Sequence, residues 1–157
     1  MQYYFANKHA LLVTALRMLN ADNEARTLRR IAAQQAPLPP RELLEVIFDE
    51  FLPLDDERRR NQLVYAAYFA RSLTDPALAA VFLSDEHPLE ELVAAILTQG
   101  GLDGNVAQHE ADLLVSGISG IGLDILYERR SVAAVRRVVD YHLDRLFSAS
   151  PDTFSTS

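Results

Sequence analysis

Apolar residues recur along this chain at intervals of three and four, the spacing of one face of an α-helix, and between the runs stand proline, glycine and short acidic or amide clusters. From Lys8 to about Ala33 the stripe is Leu11, Leu12, Ala15, Leu16, Leu19, Leu28 and Ile31, with a weak point at Asn20-Ala21-Asp22-Asn23. Three prolines within residues 37–40 stop it, because they remove backbone donors and crowd the preceding turn. Pro40 suits the first position of a new helix, whose apolar face is Leu43, Leu44, Ile47, Phe48 and Phe51 before Pro53. Asp55 is a natural N-cap, with Asp56 and Glu57 favourable in the first turn of a helix running through Arg58, Leu63, Val64, Ala67, Tyr68 and Ala70 to Leu73. Thr74-Asp75-Pro76 restarts the chain and turns Leu78, Ala79, Val81 and Phe82 inward. Pro88 kinks or splits the next stretch, and Leu89, Leu92, Val93, Ile96 and Leu97 lead to a stop at Gly100-Gly101. Caps at Asp103-Gly104-Asn105 and Ser131 predict two further helices, about Val106 to Tyr127 and Ser131 to near Phe147, followed by a frayed tail over 148–157. No useful stretch alternates with strand period, so the fold class is all-α.

The last two helices carry apolar faces too wide for a surface helix: Leu113, Leu114, Gly117, Ile118, Ile121, Ile125 and Leu126 on one, Val132, Val135, Val138, Val139, Leu143 and Leu146 on the other. Ser116, Gly117, Ser119, Gly120 and Gly122 interrupt the first. Each helical glycine there costs about 1 kcal/mol relative to alanine, which implies a packing reason such as close approach of helix axes. Two such helices meeting their symmetry mates make a four-helix dimer interface, with Gly117, Ile118, Gly120, Ile121, Val135, Val139, His142, Leu143 and Leu146 as its residues. The alternative is an internal helix hairpin within a monomer.

A chain of 157 residues is long enough for one well-cored domain, and its 49% apolar and 24% charged composition is ordinary for a globular protein. Zero cysteines exclude disulfides, thiolate metal sites and a cysteine nucleophile. No run approaches the roughly 18 unbroken apolar residues of a membrane span and no leader opens the chain, so a cytoplasmic protein with no membrane partner is expected. The net charge of -7 is uneven: residues 1–36 sum to +3 and the remainder to -10. A basic front on an acidic body suits one end approaching DNA while the bulk points away.

Catalytic and metal chemistry find little support. Gly117-Ile118-Ser119-Gly120-Ile121-Gly122 has the glycine order of neither a dinucleotide fingerprint nor a P-loop, and Ile121 stands where a nucleophile elbow needs its second glycine. The four histidines, His9, His87, His109 and His142, are scattered; none follows a glutamate at the di-iron spacing and no His-Glu-x-x-His occurs. Neither an enzyme, a metal nor another cofactor is expected. Arg58-Arg59-Arg60 follows Asp55-Asp56-Glu57 and reads as a solvated, internally paired helix surface rather than a nucleic-acid patch. Tyr65, Tyr68 and Phe69, with Phe48, Phe51 and Phe82 on neighbouring helices, form either tight core or the walls of an apolar cavity.

The amino-terminal end carries an aromatic cluster, Tyr3-Tyr4-Phe5, then a polar break, Lys8 in the first turn of an apolar helix, and Leu11-Leu12. Phenolic hydroxyls and a lysine beside outward-pointing amides suit a phosphate backbone. This run resembles the seam between the recognition helix and the connecting helix in TetR-type transcriptional regulators. The resemblance implies a remnant of a helix-turn-helix over residues 1–8, with the first two helices and most of the recognition helix absent, and a ligand-binding and dimerisation domain over 9–147. It implies phosphate contacts from Tyr3, Tyr4 and Lys8, with Gln2 at a position where tyrosine is frequent, and a pocket lined by Phe48, Phe51, Tyr65, Tyr68, Phe69, Phe82 and His109. On this reading the protein is a homodimeric repressor, releasing operator DNA when a small apolar or amphipathic effector binds, and holding DNA only with the absent helices. The alternative is a helical ligand-binding or interaction protein without DNA-binding activity.

Overall fold

The computed structural model describes residues 25–26, 29–30, 32–33, 37–82 and 87–148. Among them lie six helices: α1 (Pro40–Glu50), α2 (Asp56–Ser72), α3 (Pro76–Phe82), α4 (Pro88–Gln99), α5 (Gly104–Leu126) and α6 (Val132–Ser148). Residues 25–26, 29–30 and 32 are also helical, as the apolar stripe before the prolines predicts.

The predicted punctuation operates largely as expected. The Asp55 carboxylate accepts the Arg58 backbone N–H at 2.8 Å, Asp103 accepts that of Asn105 at 3.0 Å, and the Ser131 hydroxyl accepts that of Ala134 at 3.1 Å. Each satisfies a donor the first helical turn leaves orphaned. Pro88 splits rather than kinks its segment, standing at the first turn of α4. At the other end of α4 the Leu102 N–H reaches back to the Leu97 carbonyl at 3.1 Å, across Gly101 at φ 105°. That left-handed position closes the helix with little steric cost only for glycine. The same closure after α5 uses a non-glycine residue, Glu128, at φ 56°.

α4 and α5 form the most extensive helix pair, running back against each other across the Gly100-Gly101 turn. Ala107 and Ala111, both wholly buried, bring α5 close, and Val115, Ile118 and Ile125 extend the same stripe. Val93, Ile96 and Leu97 of α4, Leu44, Ile47 and Phe48 of α1, Leu52, and Val135, Leu143 and Leu146 of α6 complete one core. Full burial of such side chains contributes roughly 1.5–3 kcal/mol each, so this cluster is the main determinant of the arrangement. The chain after α1 lies on α5 at Gly122, where a Cβ would stand at van der Waals distance, 3.4 Å, from the Phe51 carbonyl oxygen.

α2 buries little of itself: Leu63, Val64 and Leu73, through which it was expected to run, are exposed, and Ser72 is the buried residue. Its start is tied to the body by polar contacts: Gln62 donates to the Phe51 carbonyl at 2.9 Å, Arg59 to the Leu126 carbonyl at 3.3 Å, and Arg58 to Glu50. No helix among the described residues is long and apolar enough to cross a membrane.

Candidate functional site

The most concentrated chemistry lies where α1 ends and α2 begins. Glu50 falls three residues after Ile47, on the side of α1 that enters the core, and its side chain is only 1% exposed. An isolated carboxylate at such a depth would carry a large desolvation penalty. Three guanidinium groups offset it. Arg58 donates to Glu50 Oε1 at 3.0 Å, Arg30 donates to the same oxygen, and Arg26 Nη1 stands 4.0 Å from Oε2. The outer side of the cluster is closed by Asp55, 3.4 Å from Arg58 Nη1, and Glu57, 2.7 Å from Arg26 Nη2. Three positive and three negative groups therefore balance, with the Glu50 carboxylate at the centre. Glu50 Oε2 and Arg58 Nε have no hydrogen-bond partner among the described residues. The arginine run is thus divided: Arg60 stays exposed and Arg58 pairs with Asp55 as anticipated, but Arg58 also enters this buried cluster. Sequence reasoning missed Glu50; its signal was an acidic residue at a core spacing on α1 followed closely by arginines.

A second polar seam joins α1 to α6. Arg41 pairs with Asp144 at 2.8 Å, Glu45 at 3.1 Å and Asp140 at 3.5 Å, and Arg136 with Asp49 at 3.3 Å. Burial pushes the Glu45 carboxyl above its ordinary value, Arg41 opposes the shift and neighbouring Asp140 reinforces it. Between these groups lies a notch of about 20 Å³, room for a water and not for an effector.

The ring-bearing residues anticipated as a pocket separate. Phe48 is fully buried in the core, and Phe51 is half-buried against it. Phe48 is therefore a core residue and not a cavity wall. Tyr65 and Phe69 remain accessible on α2, at 37% and 45% exposure, and Tyr68 is half-buried. Arg58, Gln62, Tyr65, Phe69 and Ser72 succeed one another at intervals of four, three, four and three, so they share one face of α2. Both ends of that face are covered, and Tyr65 and Phe69 in its middle are partly accessible. Burial, with Glu90 nearby, raises the Tyr65 hydroxyl above its ordinary value. His109 is exposed on α5, and the Phe82 side chain lies outside the described residues. So do Gln2, Tyr3, Tyr4 and Lys8.

The residues anticipated at a dimer interface also divide. Ile118, Val135, Leu143 and Leu146 belong to the chain's own core; Val135 and Leu143 have no accessible surface left to offer a partner. Ile121 and Val139 pack half-buried against that core, and His142 is half-buried with its ring edge-on to Tyr141, centroids 5.4 Å apart. Gly117 and Gly120 face outward, and a Cβ at either would meet nothing within 4 Å. Val106 and Leu113, at 48% and 68% exposure, lie on the same stripe of α5 as these glycines. Tyr141 of α6 is 65% exposed, and Glu110 and Arg145, 3.9 Å apart, link the two helices beside it. Among the described residues no group of histidine and acidic side chains is arranged to hold a metal ion.

A helical body of this order, with paired C-terminal helices, is similar to the C-terminal domain of a known class of transcription factors. The chain belongs to the TetR-type family of BetI-type transcriptional repressors, whose C-terminal domain matches residues 40–148. The structure is similar to the crystal structure of a transcriptional regulator from Rhodococcus sp. Rha1, with 26% identity and a TM-score of 0.67, over 94% of this chain and 74% of that one. No curated protein matches it.

Proposed function

We propose that this chain is the effector-responsive, dimerising body of a transcriptional repressor. Two copies pair through the outward stripe of α5 and the adjoining face of α6. The observation that carries this reading is Gly117 and Gly120, two glycines inside a long helix with open space where a side chain would stand. Nothing within the described protomer demands glycine there, yet each costs about 1 kcal/mol of helix stability relative to alanine. Close approach of a partner helix supplies the reason, and Val106, Leu113 and Tyr141 supply exposed apolar surface around it. The interface residues are then Gly117, Gly120, Val106, Leu113, Tyr141 and, at its edge, Ile121, Val139 and His142.

The effector is a small apolar or amphipathic molecule held near the ring-bearing side of α2 that carries Tyr65 and Phe69, with Tyr68 beside them. It favours a dimer state whose DNA-reading ends are wrongly spaced for successive major grooves, and so releases the operator. Tyr3, Tyr4 and Lys8, with Gln2, contact phosphates at the DNA-facing end, and the protein works in the cytoplasm.

Sedimentation at micromolar concentration should give twice the mass of the chain; a monomer would sink the dimer. For DNA, the reading frame extended through any helix-turn-helix encoded upstream of Met1 should retard its own upstream region in a gel. Failure there would leave a helical ligand-binding or interaction protein.

A further inference from the structure

We propose that Glu50 is the docking point by which the helical body holds the segment carrying Arg26 and Arg30. That charge cluster, rather than apolar contact alone, would fix where the amino-terminal end sits. The functional consequence rests on the reading above, in which that end faces DNA.

Arg26 and Arg30 are four residues apart, so they share one face of a helical segment, and both reach the Glu50 carboxylate. Arg58 reaches it from the first turn of α2 and shares oxygen Oε1 with Arg30. The body alone therefore supplies one guanidinium to Glu50, and the segment supplies two. Surface ion pairs are screened and contribute little, but this carboxylate is almost wholly removed from water, where losing a charged partner is strongly unfavourable. The Arg26–Glu57 pair, with Glu57 63% exposed, is a minor addition at the rim.

The test is hydrogen exchange followed by mass spectrometry on the full 157-residue chain, comparing wild type with Glu50→Gln and with the double variant Arg26→Gln/Arg30→Gln. The double variant leaves the Glu50–Arg58 pair in place, so it reports on docking even if Glu50→Gln does not fold. In the double variant, and in any folded Glu50→Gln, the peptide spanning 25–33 should exchange at least tenfold faster while α4 and α5 keep wild-type protection. Unchanged exchange over 25–33 in the double variant would overturn the proposal. So would equal acceleration throughout α4 and α5, which would make the cluster a support of the body and not a latch. Neither DNA nor effector enters the measurement, so its failure leaves the regulator reading standing, and a failed gel shift leaves the latch standing.

Discussion

Replacing Gly117 and Gly120 together with alanine sets two opposing effects against each other. Within the protomer both sites are open, so the new methyl groups clash with nothing. Helix propensity then favours alanine by about 0.8–1.0 kcal/mol at each site, roughly 2 kcal/mol for the pair. At about 2–4 °C per kcal/mol for a domain of this size, an isolated protomer should melt some 4–8 °C higher. If a partner helix lies against these glycines, the same methyl groups force the axes apart, and each 1.4 kcal/mol lost from the interface weakens association about tenfold. The expected result is a variant whose self-association, measured by sedimentation across a dilution series, weakens by at least tenfold while its dilute, monomeric form melts higher than wild type. A melting gain at every concentration with association unchanged would refute the reasoning. Gly117 and Gly120 would then be tolerated helix defects, and the dimer would have to use another surface.

Leu143→Ala should destabilise the fold by about 2–5 kcal/mol, because the residue is fully buried in the protomer and its loss leaves a cavity; chemical denaturation reads this, and weakened association without loss of stability would contradict its place in the core. Gly100→Ala points its methyl group into the Phe147 ring, so that ring must move; overpacking of this kind costs up to about 1–3 kcal/mol, and restoration by the double variant Gly100→Ala/Phe147→Leu would locate the strain. Asp55→Ala should remove about 1 kcal/mol through the lost N-cap, measured by thermal melting at neutral pH. The Arg58 backbone N–H holds the Asp55 carboxyl below its ordinary value, so its contribution is full above the unfolded-state value and disappears as pH falls through the lowered folded one. Wild type and Asp55→Ala should therefore converge in stability in acid, and a difference that persisted there would exclude the charged cap as its source.

Local chemistry made most helix boundaries legible. Asp55, Asp103 and Ser131 cap because a short polar side chain reaches amides two or three residues on, a relation contained in a few consecutive residues. Gly101 ends α4 for an equally local reason, its left-handed backbone. Glu128 escaped notice because it takes the same conformation without being glycine.

What the amino-acid order determined, then, was the all-α class, the helix sequence and the apolar stripes, since periodicity and capping act over single turns. Tertiary structure decided what each stripe meets. Val135 and Leu143 look from the sequence like Leu113 and Tyr141, apolar or amphipathic positions on the last two helices, yet the first pair is spent on the internal core and the second faces outward. The pattern of one helix shows that a face avoids water, while the identity of the surface that covers it depends on elements far away in the chain. Glu50 is the sharpest case. Its burial is tolerable only because Arg26, Arg30 and Arg58 converge on it from two other segments; spacing within α1 marks an acidic residue at a core position but does not show which arginines meet it.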